Sequence, residues 1–307
     1  MYPSIQINKY KEAMRSLLLL AFISAACQSV QPRVLNAQFS GEAALGHVEQ
    51  QMAFGPRYPG SSGHGFTQAW IVEQLELLGW RVELQRFEYQ GLMLSNIIAR
   101  QNNSSDSDVI LFGAHFDTRR FADRDLLDSS QPVPGANDGA SGVAVLLEIA
   151  RILTLSPSRN VVLVFFDGED QGRIDDWDWA VGSQYFVDHL DLEISAVIIV
   201  DMVGDRDLNI PYERSSDPGL VRSIWTTGQD LGYSSFENDP GPTLIDDHIP
   251  FLQYGIPAVD IIDFDYPYYH TSEDRIDKVS ADSLQQVGAT LVQWLHNVKE
   301  GLIDFTQ

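Results

Sequence analysis

Short apolar runs alternate with segments of helical periodicity along most of this chain. Six runs rich in β-branched and aromatic residues are typical of strands: residues 81–87, 94–100, 109–112, 161–166, 196–200 and 258–262. Apolar positions recurring every three to four residues predict helices over residues 42–52, 67–78, 143–153, 181–189, 220–231 and 280–298. Several strands are continuously apolar, so both sheet faces should be covered. The pattern predicts an α/β three-layer sandwich with a central mixed, mostly parallel twisted sheet between helices.

Polar residues with acid–base or ligand chemistry follow four of the predicted strands. In chain order they are His115, Asp117, Glu169, Asp170, Asp201 and His270. In open α/β sheets, ligands bind beyond the carboxyl ends of the strands. We therefore expect these side chains to meet at one edge of the sheet.

Asp138 lies in a glycine-rich segment directly ahead of the predicted helix at residues 143–153. A carboxylate at a helix N-terminus is often only a cap. The other carboxylates and histidines favour a metal site instead, with Asp138, Asp170 and His270 as ligands to zinc and one position left open. Glu169 precedes Asp170 in a predicted turn, so its side chain points elsewhere and is free to act as a general base.

The excess of acidic over basic residues limits the kinds of molecule that the protein is expected to bind. The chain has 43 acidic and 20 basic residues and a net charge of −23. A nucleic-acid surface needs a basic stripe, so we predict no nucleic-acid partner. A surplus of carboxylates suits a cation site and substrates that carry a free amine. The chain contains neither a Gly-x-Ser-x-Gly nucleophile motif nor a phosphate-binding loop.

Residues 1–27 have the pattern of an export signal. A basic region is followed by an apolar core at residues 17–23, which is too short to span a bilayer. Small residues then precede Cys27, the only cysteine of the chain. This resembles the lipidation signal of bacterial lipoproteins, with Ser24 an imperfect match, and an ordinary secretory peptide is the alternative. We expect an exported protein, periplasmic or at the cell surface, anchored by a lipid on Cys27 or otherwise secreted, with residues 28–37 as a tether.

Five motifs, in order, resemble those of the M28 zinc peptidase superfamily and, within it, the zinc-dependent glutaminyl-peptide cyclotransferases of bacterial type. They are residues 115–117 (His-Phe-Asp), 135–142 (Gly-Ala-Asn-Asp-Gly-Ala-Ser-Gly), 165–170 (Phe-Phe-Asp-Gly-Glu-Asp), 201–204 (Asp-Met-Val-Gly) and 269–271 (Tyr-His-Thr). The resemblance implies the M28 fold and a single catalytic domain over residues 38–307. The segment at residues 246–252 (Asp-Asp-His-Ile-Pro-Phe-Leu) resembles the cyclotransferase branch.

The resemblance also implies roles for individual residues. A single zinc ion would be held by Asp138, Asp170 and His270, and Glu169 would be the proton shuttle. Asp201 and Asp247 would form an acidic network around that shuttle. The implied substrates are the N-termini of peptides or proteins, whereas the oligomeric state is not predicted.

Two residues depart from the pattern of many relatives. Asp170 replaces a glutamate ligand and is one methylene shorter, and Tyr269 occupies a position that is tryptophan in animal cyclotransferases. The apolar pocket wall is then expected from Trp177 or Trp179, together with Tyr269 and His248.

Two alternatives stay open from the residues alone. A two-metal aminopeptidase would use the same ligands, with His115 and Asp201 on a second ion, Asp138 bridging and Glu169 activating water. An exported zinc-binding module without catalytic activity is the second alternative, since a fold does not fix a function.

Overall fold

The structure, a computed structural model, describes residues 38–101, 105–126, 128–155 and 160–305. The predicted export signal, Cys27 and the tether lie outside these residues. Among the described helices, none combines the length and the apolar character that crossing a membrane requires.

The main elements follow the predicted pattern closely. The strands are β1 (Arg81–Tyr89), β2 (Leu92–Arg100), β3 (Val109–His115), β4 (Val161–Phe166), β5 (Ile194–Asp201), β6 (Ile210–Tyr212), β7 (Phe236–Pro240) and β8 (Ala258–Ile262). The α-helices are α1 (Gly41–Ala53), α2 (Ser62–Leu77), α3 (Ala140–Leu155), α4 (Val181–Asp188), α5 (Pro218–Asp230), α6 (Ile249–Tyr254) and α7 (Ala281–Lys299), with a 3₁₀ turn at Ile276–Lys278.

Six strands form the central sheet in the order β1-β2-β4-β3-β5-β8. The β4-β3, β3-β5 and β5-β8 pairs are parallel, while the β1-β2 and β2-β4 pairs are antiparallel. The predicted mixed, mostly parallel sheet is therefore confirmed. Because β3, β4, β5 and β8 run in the same direction, their carboxyl ends lie at one edge of the sheet. After β3 the chain adds β4 on one side of it and β5 on the other, so β3 marks a topological switch point, where α/β sheets bind ligands.

The two faces of the sheet pack into separate apolar cores. In β4, Leu163 and Phe165 face a core shared with α1, α2, α3, α5 and α7. Their neighbours Val162, Val164 and Phe166 face a second core with α4 and α6. This alternation follows from the two-residue period of a strand and gives the three-layer architecture that continuously apolar strands predict.

Helix α3 approaches the sheet so closely that one of its positions must be glycine. A Cβ built on Gly142 would lie 2.0 Å from the carbonyl oxygen of Val200 in β5. Gly142→Ala is expected to lower the free energy of unfolding by about 1–3 kcal/mol, the usual cost of overpacking a core. Chemical denaturation measures this change.

Gly46→Ala is the matched control for that substitution. Gly46 lies on the exposed side of α1, and a Cβ added there would meet no other atom within 4 Å. Alanine at this position is expected to stabilise the protein by about 0.5–1 kcal/mol. Equal effects of the two substitutions would contradict the close contact between α3 and β5.

The sequence pattern misses three short elements between β5 and β8, although it predicts α5. Strands β6 and β7 pair with each other in a separate two-stranded sheet, and α6 has only six residues between His248 and Gly255. Such short elements carry too few positions for a periodicity to stand out. Helix α2 also begins five residues before its predicted start, because the Ser61 side chain caps it by accepting from the backbone N–H of His64.

Candidate active site

The three predicted zinc ligands converge at the carboxyl edge of the sheet. Asp138 lies two residues before α3, Asp170 in the loop after β4, and His270 in the loop after β8. One donor atom from each lies within 4.8 Å of the other two, and all three residues are buried. His270 Nε2 is 2.9 Å from Asp170 Oδ1 and 3.7 Å from Asp138 Oδ2.

The donor atoms of this group fit a zinc ion. Asp138 Oδ2, Asp170 Oδ2 and His270 Nε2 are buried and have no hydrogen-bond partner among the described residues. Buried polar atoms are nearly always paired, so three orphaned atoms in one place indicate a missing ligand. Two carboxylates and an imidazole form a common zinc set that leaves a coordination position open.

The charges of the group also favour a cation. Burial and the neighbouring Asp138 carboxylate raise the pKa of Asp170 to about 6. Two carboxylates this close oppose each other's ionisation. A bound divalent ion removes that penalty, because it stabilises both in the charged form.

Two buried aspartates fix the loops that carry the ligands. The Asp117 carboxylate accepts from the backbone N–H groups of Glu169 at 3.0 Å and Asp170 at 3.3 Å. Asp274 does the same for the other loop, accepting from the backbone N–H groups of Asn137 at 2.9 Å and Asp138 at 3.1 Å. Each ligand loop is thus held by hydrogen bonds that its backbone N–H groups donate to a buried aspartate.

The third ligand has a support of its own. Asp123 Oδ1 lies 3.4 Å from Nδ1 of His270, which leaves Nε2 directed at the other ligands. Arg119 donates to Asp123 at 2.8 and 2.6 Å and to the carbonyl oxygen of Asp170 at 3.1 Å. A carboxylate behind a histidine ligand is the usual outer shell of a zinc site, since it fixes the ring and its tautomer.

The second-metal candidates lie beside the first group. His115 Nε2 is 3.1 Å from Asp201 Oδ1 and 3.3 Å from Asp138 Oδ1. Donor atoms of these three residues also lie within 4.8 Å of one another. Each group contains a histidine Nε2 close to a carboxylate oxygen, but only the contact of His115 with Asp201 has the geometry of a hydrogen bond.

Glu169 faces a cavity of about 260 Å³ that reaches the ligand group. Burial raises its pKa well above the ordinary glutamate value, and the charge of Asp246 adds to that rise. A pKa above the ordinary value suits a group that must both accept and donate a proton. In the structure, Glu169 lines the cavity beside the ligand group.

The expected acidic network differs from the observed one by a shift of one position, from Asp247 to Asp246. Asp201 and Asp246 line the cavity, whereas Asp247 does not and is fully buried behind it. Asp246 is also a stronger influence than Asp247 on the pKa of Glu169. The structure therefore places Asp246, the first residue of the segment 246–252, in the position expected of Asp247.

Two of the four predicted pocket residues form the cavity wall. Trp179 lies parallel to the ring of His270, with centroids 6.0 Å apart and planes at 13°, and Tyr269 stacks on the same ring at 3.6 Å. Both residues line the cavity. Further apolar side chains, none of them predicted as pocket residues, also line the cavity: Met202, Leu244, Ile245, Ile262 and Phe264.

The other two predicted pocket residues lie elsewhere. Trp177 packs edge-on against Tyr89, with ring centroids 5.0 Å apart, in a small apolar cluster beneath the loop. His248 is completely buried, and its Nε2 lies 3.2 Å from both Ser215 Oγ and Glu213 Oε2. The expectation that these two side chains line the pocket is corrected, because each is used in packing.

A comparison of the sequence with models of protein families agrees with the fold and the site described above. Residues 96–295 match the model of peptidase family M28. The chain belongs to this family.

The proteins that this chain resembles are named for two different activities, glutaminyl cyclase and aminopeptidase. The glutaminyl cyclase of Porphyromonas gingivalis is 34% identical, with a TM-score of 0.80 over 85% of this chain and 99% of that one. A leucine aminopeptidase precursor of Bacteroides thetaiotaomicron is 32% identical, with a TM-score of 0.78 over 86% of this chain and 99% of that one. The aminopeptidase YwaD of Bacillus subtilis is 29% identical over 88% of this chain, which spans 60% of YwaD.

Proposed function

We propose that this M28 protein is a zinc-dependent glutaminyl-peptide cyclotransferase, which converts the N-terminal glutamine of peptides or proteins to pyroglutamate and releases ammonia. The contrast between the two candidate ligand groups carries this proposal. Asp138 Oδ2, Asp170 Oδ2 and His270 Nε2 lack a hydrogen-bond partner among the described residues. By contrast, His115 Nε2 and Asp201 Oδ1 are bonded to each other, and only Nδ1 of that histidine is unpaired there. This contrast favours a single ion, which is the arrangement that the cyclotransferase resemblance implies.

The cavity has the features that this reaction needs. The substrate's α-amine nitrogen forms a bond to the carbon of its own γ-carboxamide, and the bond from that carbon to the amide nitrogen breaks. Folding the side chain back for this step costs conformational freedom, which a small cavity between Trp179 and Tyr269 offsets in advance. When bound, zinc supplies a Lewis acid that polarises the γ-carbonyl group.

Glu169 is the residue that moves the proton. Its carboxylate takes a proton from the attacking α-amine and delivers it to the leaving nitrogen, so that ammonia departs neutral. A raised pKa suits this double role, because the group must bind the proton in one step and release it in the next. The carboxyl groups of Asp201 and Asp246 line the same cavity and offer acceptors to the amine.

A two-metal aminopeptidase is the second candidate. The donor atoms of His115, Asp138 and Asp201 lie close enough together to hold a second ion. Glu169 would then activate a water molecule for hydrolysis of the first peptide bond.

The two functions give different products from matched peptides. Purified protein loaded with zinc is offered peptides that differ only in an N-terminal glutamine or leucine. Under the proposal, the glutamine peptide releases ammonia and becomes lighter by that mass, while the leucine peptide is unchanged. Free leucine without ammonia would instead establish the aminopeptidase.

A further inference from the structure

Two arginine side chains stand at the mouth of the cavity of this strongly acidic protein. Arg124 comes from the loop after β3 and Arg173 from the loop after β4. Both line the same cavity as Glu169, and both are exposed. Their position is notable because the whole chain carries a net charge of −23.

Neither arginine is used to neutralise the protein's own carboxylates. Within the described residues, no carboxylate lies within ion-pair distance of either guanidinium group. On the same two loops, Arg120 pairs with Asp175 at 3.4 Å, and Arg119 pairs with Asp123. Carboxylates of these loops therefore pair with Arg119 and Arg120. The guanidinium donors of Arg124 and Arg173 are available to solvent or a ligand.

Both arginines are set on ordered supports. The guanidinium carbon of Arg124 lies 4.4 Å from the ring centroid of Tyr269, a distance typical of a cation–π contact. Its backbone N–H donates to the carbonyl oxygen of His270 at 3.2 Å. The backbone N–H of Arg173 donates to the carbonyl oxygen of Trp177 at 2.8 Å. The side-chain contact of Arg124 lowers the entropy cost of binding a ligand there, whereas for Arg173 only the backbone is held.

The cavity is thus polarised from its floor to its mouth. The carboxyl groups of Glu169, Asp201 and Asp246 line it and are buried, while the two guanidinium groups line it and are exposed. A peptide that enters amine first places positive charge at the floor. A carboxylate farther along the same peptide then meets the arginines.

We propose that Arg124 and Arg173 form a carboxylate-recognition subsite, which selects peptide substrates with an acidic group shortly after the N-terminal residue. The guanidinium fork matches a carboxylate in geometry and charge. The acidic group is either the side chain of a following aspartate or glutamate or the terminal carboxylate of a dipeptide. This inference rests on the proposed action at peptide N-termini.

The test measures selectivity rather than rate. Ammonia release gives kcat/KM for two substrate pairs: Gln-Glu against Gln-Gln peptide amides, and the dipeptide Gln-Ala against its amide. The first pair tests recognition of a side chain and the second tests recognition of a terminal carboxylate. A preference of about 2- to 30-fold for the acidic member of at least one pair is expected, from two exposed ion pairs at about 0.2–1 kcal/mol each.

Substitutions locate the source of the preference. In the double variant Arg124→Gln, Arg173→Gln the ratio should fall to about one, and Arg124→Lys should keep part of it, since it retains charge without the planar fork. Arg81→Gln is the matched control, because Arg81 is exposed and begins β1 at the opposite edge of the sheet. It should leave the ratio unchanged.

Several results would overturn the subsite. They are the absence of an acidic preference in both pairs, a preference that survives the double variant, and an equal loss in Arg81→Gln. The overall field of an acidic protein repels acidic peptides, so it cannot itself create the expected preference. If no glutamine peptide releases ammonia, the proposed function fails, and leucine peptides with the same acidic and neutral partners then test the subsite by release of free leucine.

Discussion

Glu169→Gln is expected to lower kcat for ammonia release by about 10²–10⁴-fold, the usual contribution of a general acid–base group. Glutamine has nearly the same shape as glutamate but neither accepts nor carries the transferred proton. The backbone of residue 169 remains held by Asp117, so the neighbouring ligand Asp170 stays in place. Zinc content measured by elemental analysis should therefore match that of the unaltered protein.

A control and two opposite outcomes make this experiment decisive. Glu76→Gln removes the same charge from an exposed position near the end of α2, and it should leave both rate and zinc content unchanged. If Glu169→Gln keeps zinc and full turnover, Glu169 is not the proton shuttle. If it loses zinc, the residue acts in metal binding.

The sequence predicts the sheet and the edge at which the site forms because both follow from local patterns. Continuously apolar runs specify strands with two covered faces, and β4 shows this directly, with alternate residues in separate cores. A parallel arrangement then brings the strand ends together. His115 and Asp201 are the last residues of β3 and β5, so their meeting at 3.1 Å depends only on the order of the strands.

The direction of a loop side chain is harder to predict, because loops lack the residue periodicity of strands and helices. Asp246 and Asp247 are adjacent and chemically identical, yet one lines the cavity and the other is fully buried behind it. Trp177 and Trp179 differ in the same way. Tertiary packing decides which of two nearby loop side chains faces the cavity, and the sequence pattern carries no information about that packing.

The supports of the ligands are also invisible in the sequence. Asp274 accepts from the backbone N–H groups of residues 137 and 138, which are more than a hundred positions away in the chain. Asp123 lies in a loop with no recurring pattern and reaches His270 only in the folded protein. Asp117 alone had a local signal, because it follows His115 by two residues at the end of β3.

Removal of one histidine at a time should decide how many ions the site holds. His270→Ala is expected to abolish zinc binding and turnover, because it deletes one of three ligands with orphaned donor atoms. In the unaltered protein, a chelator should lower the free energy of unfolding by about 2.7 kcal/mol if zinc had been present at a hundred times its Kd. The same chelator should have no effect on the His270→Ala variant.

His115→Ala is the matched comparison, since it removes the histidine of the neighbouring group. Nε2 of His115 is hydrogen-bonded to Asp201, so this variant should keep one zinc ion per chain, equal to the unaltered protein. A decrease from two ions to one would show that His115 and Asp201 hold a second metal, and it would favour the aminopeptidase. Elemental analysis of the three proteins, prepared with the same zinc supply, therefore tests the metal count independently of any choice of substrate.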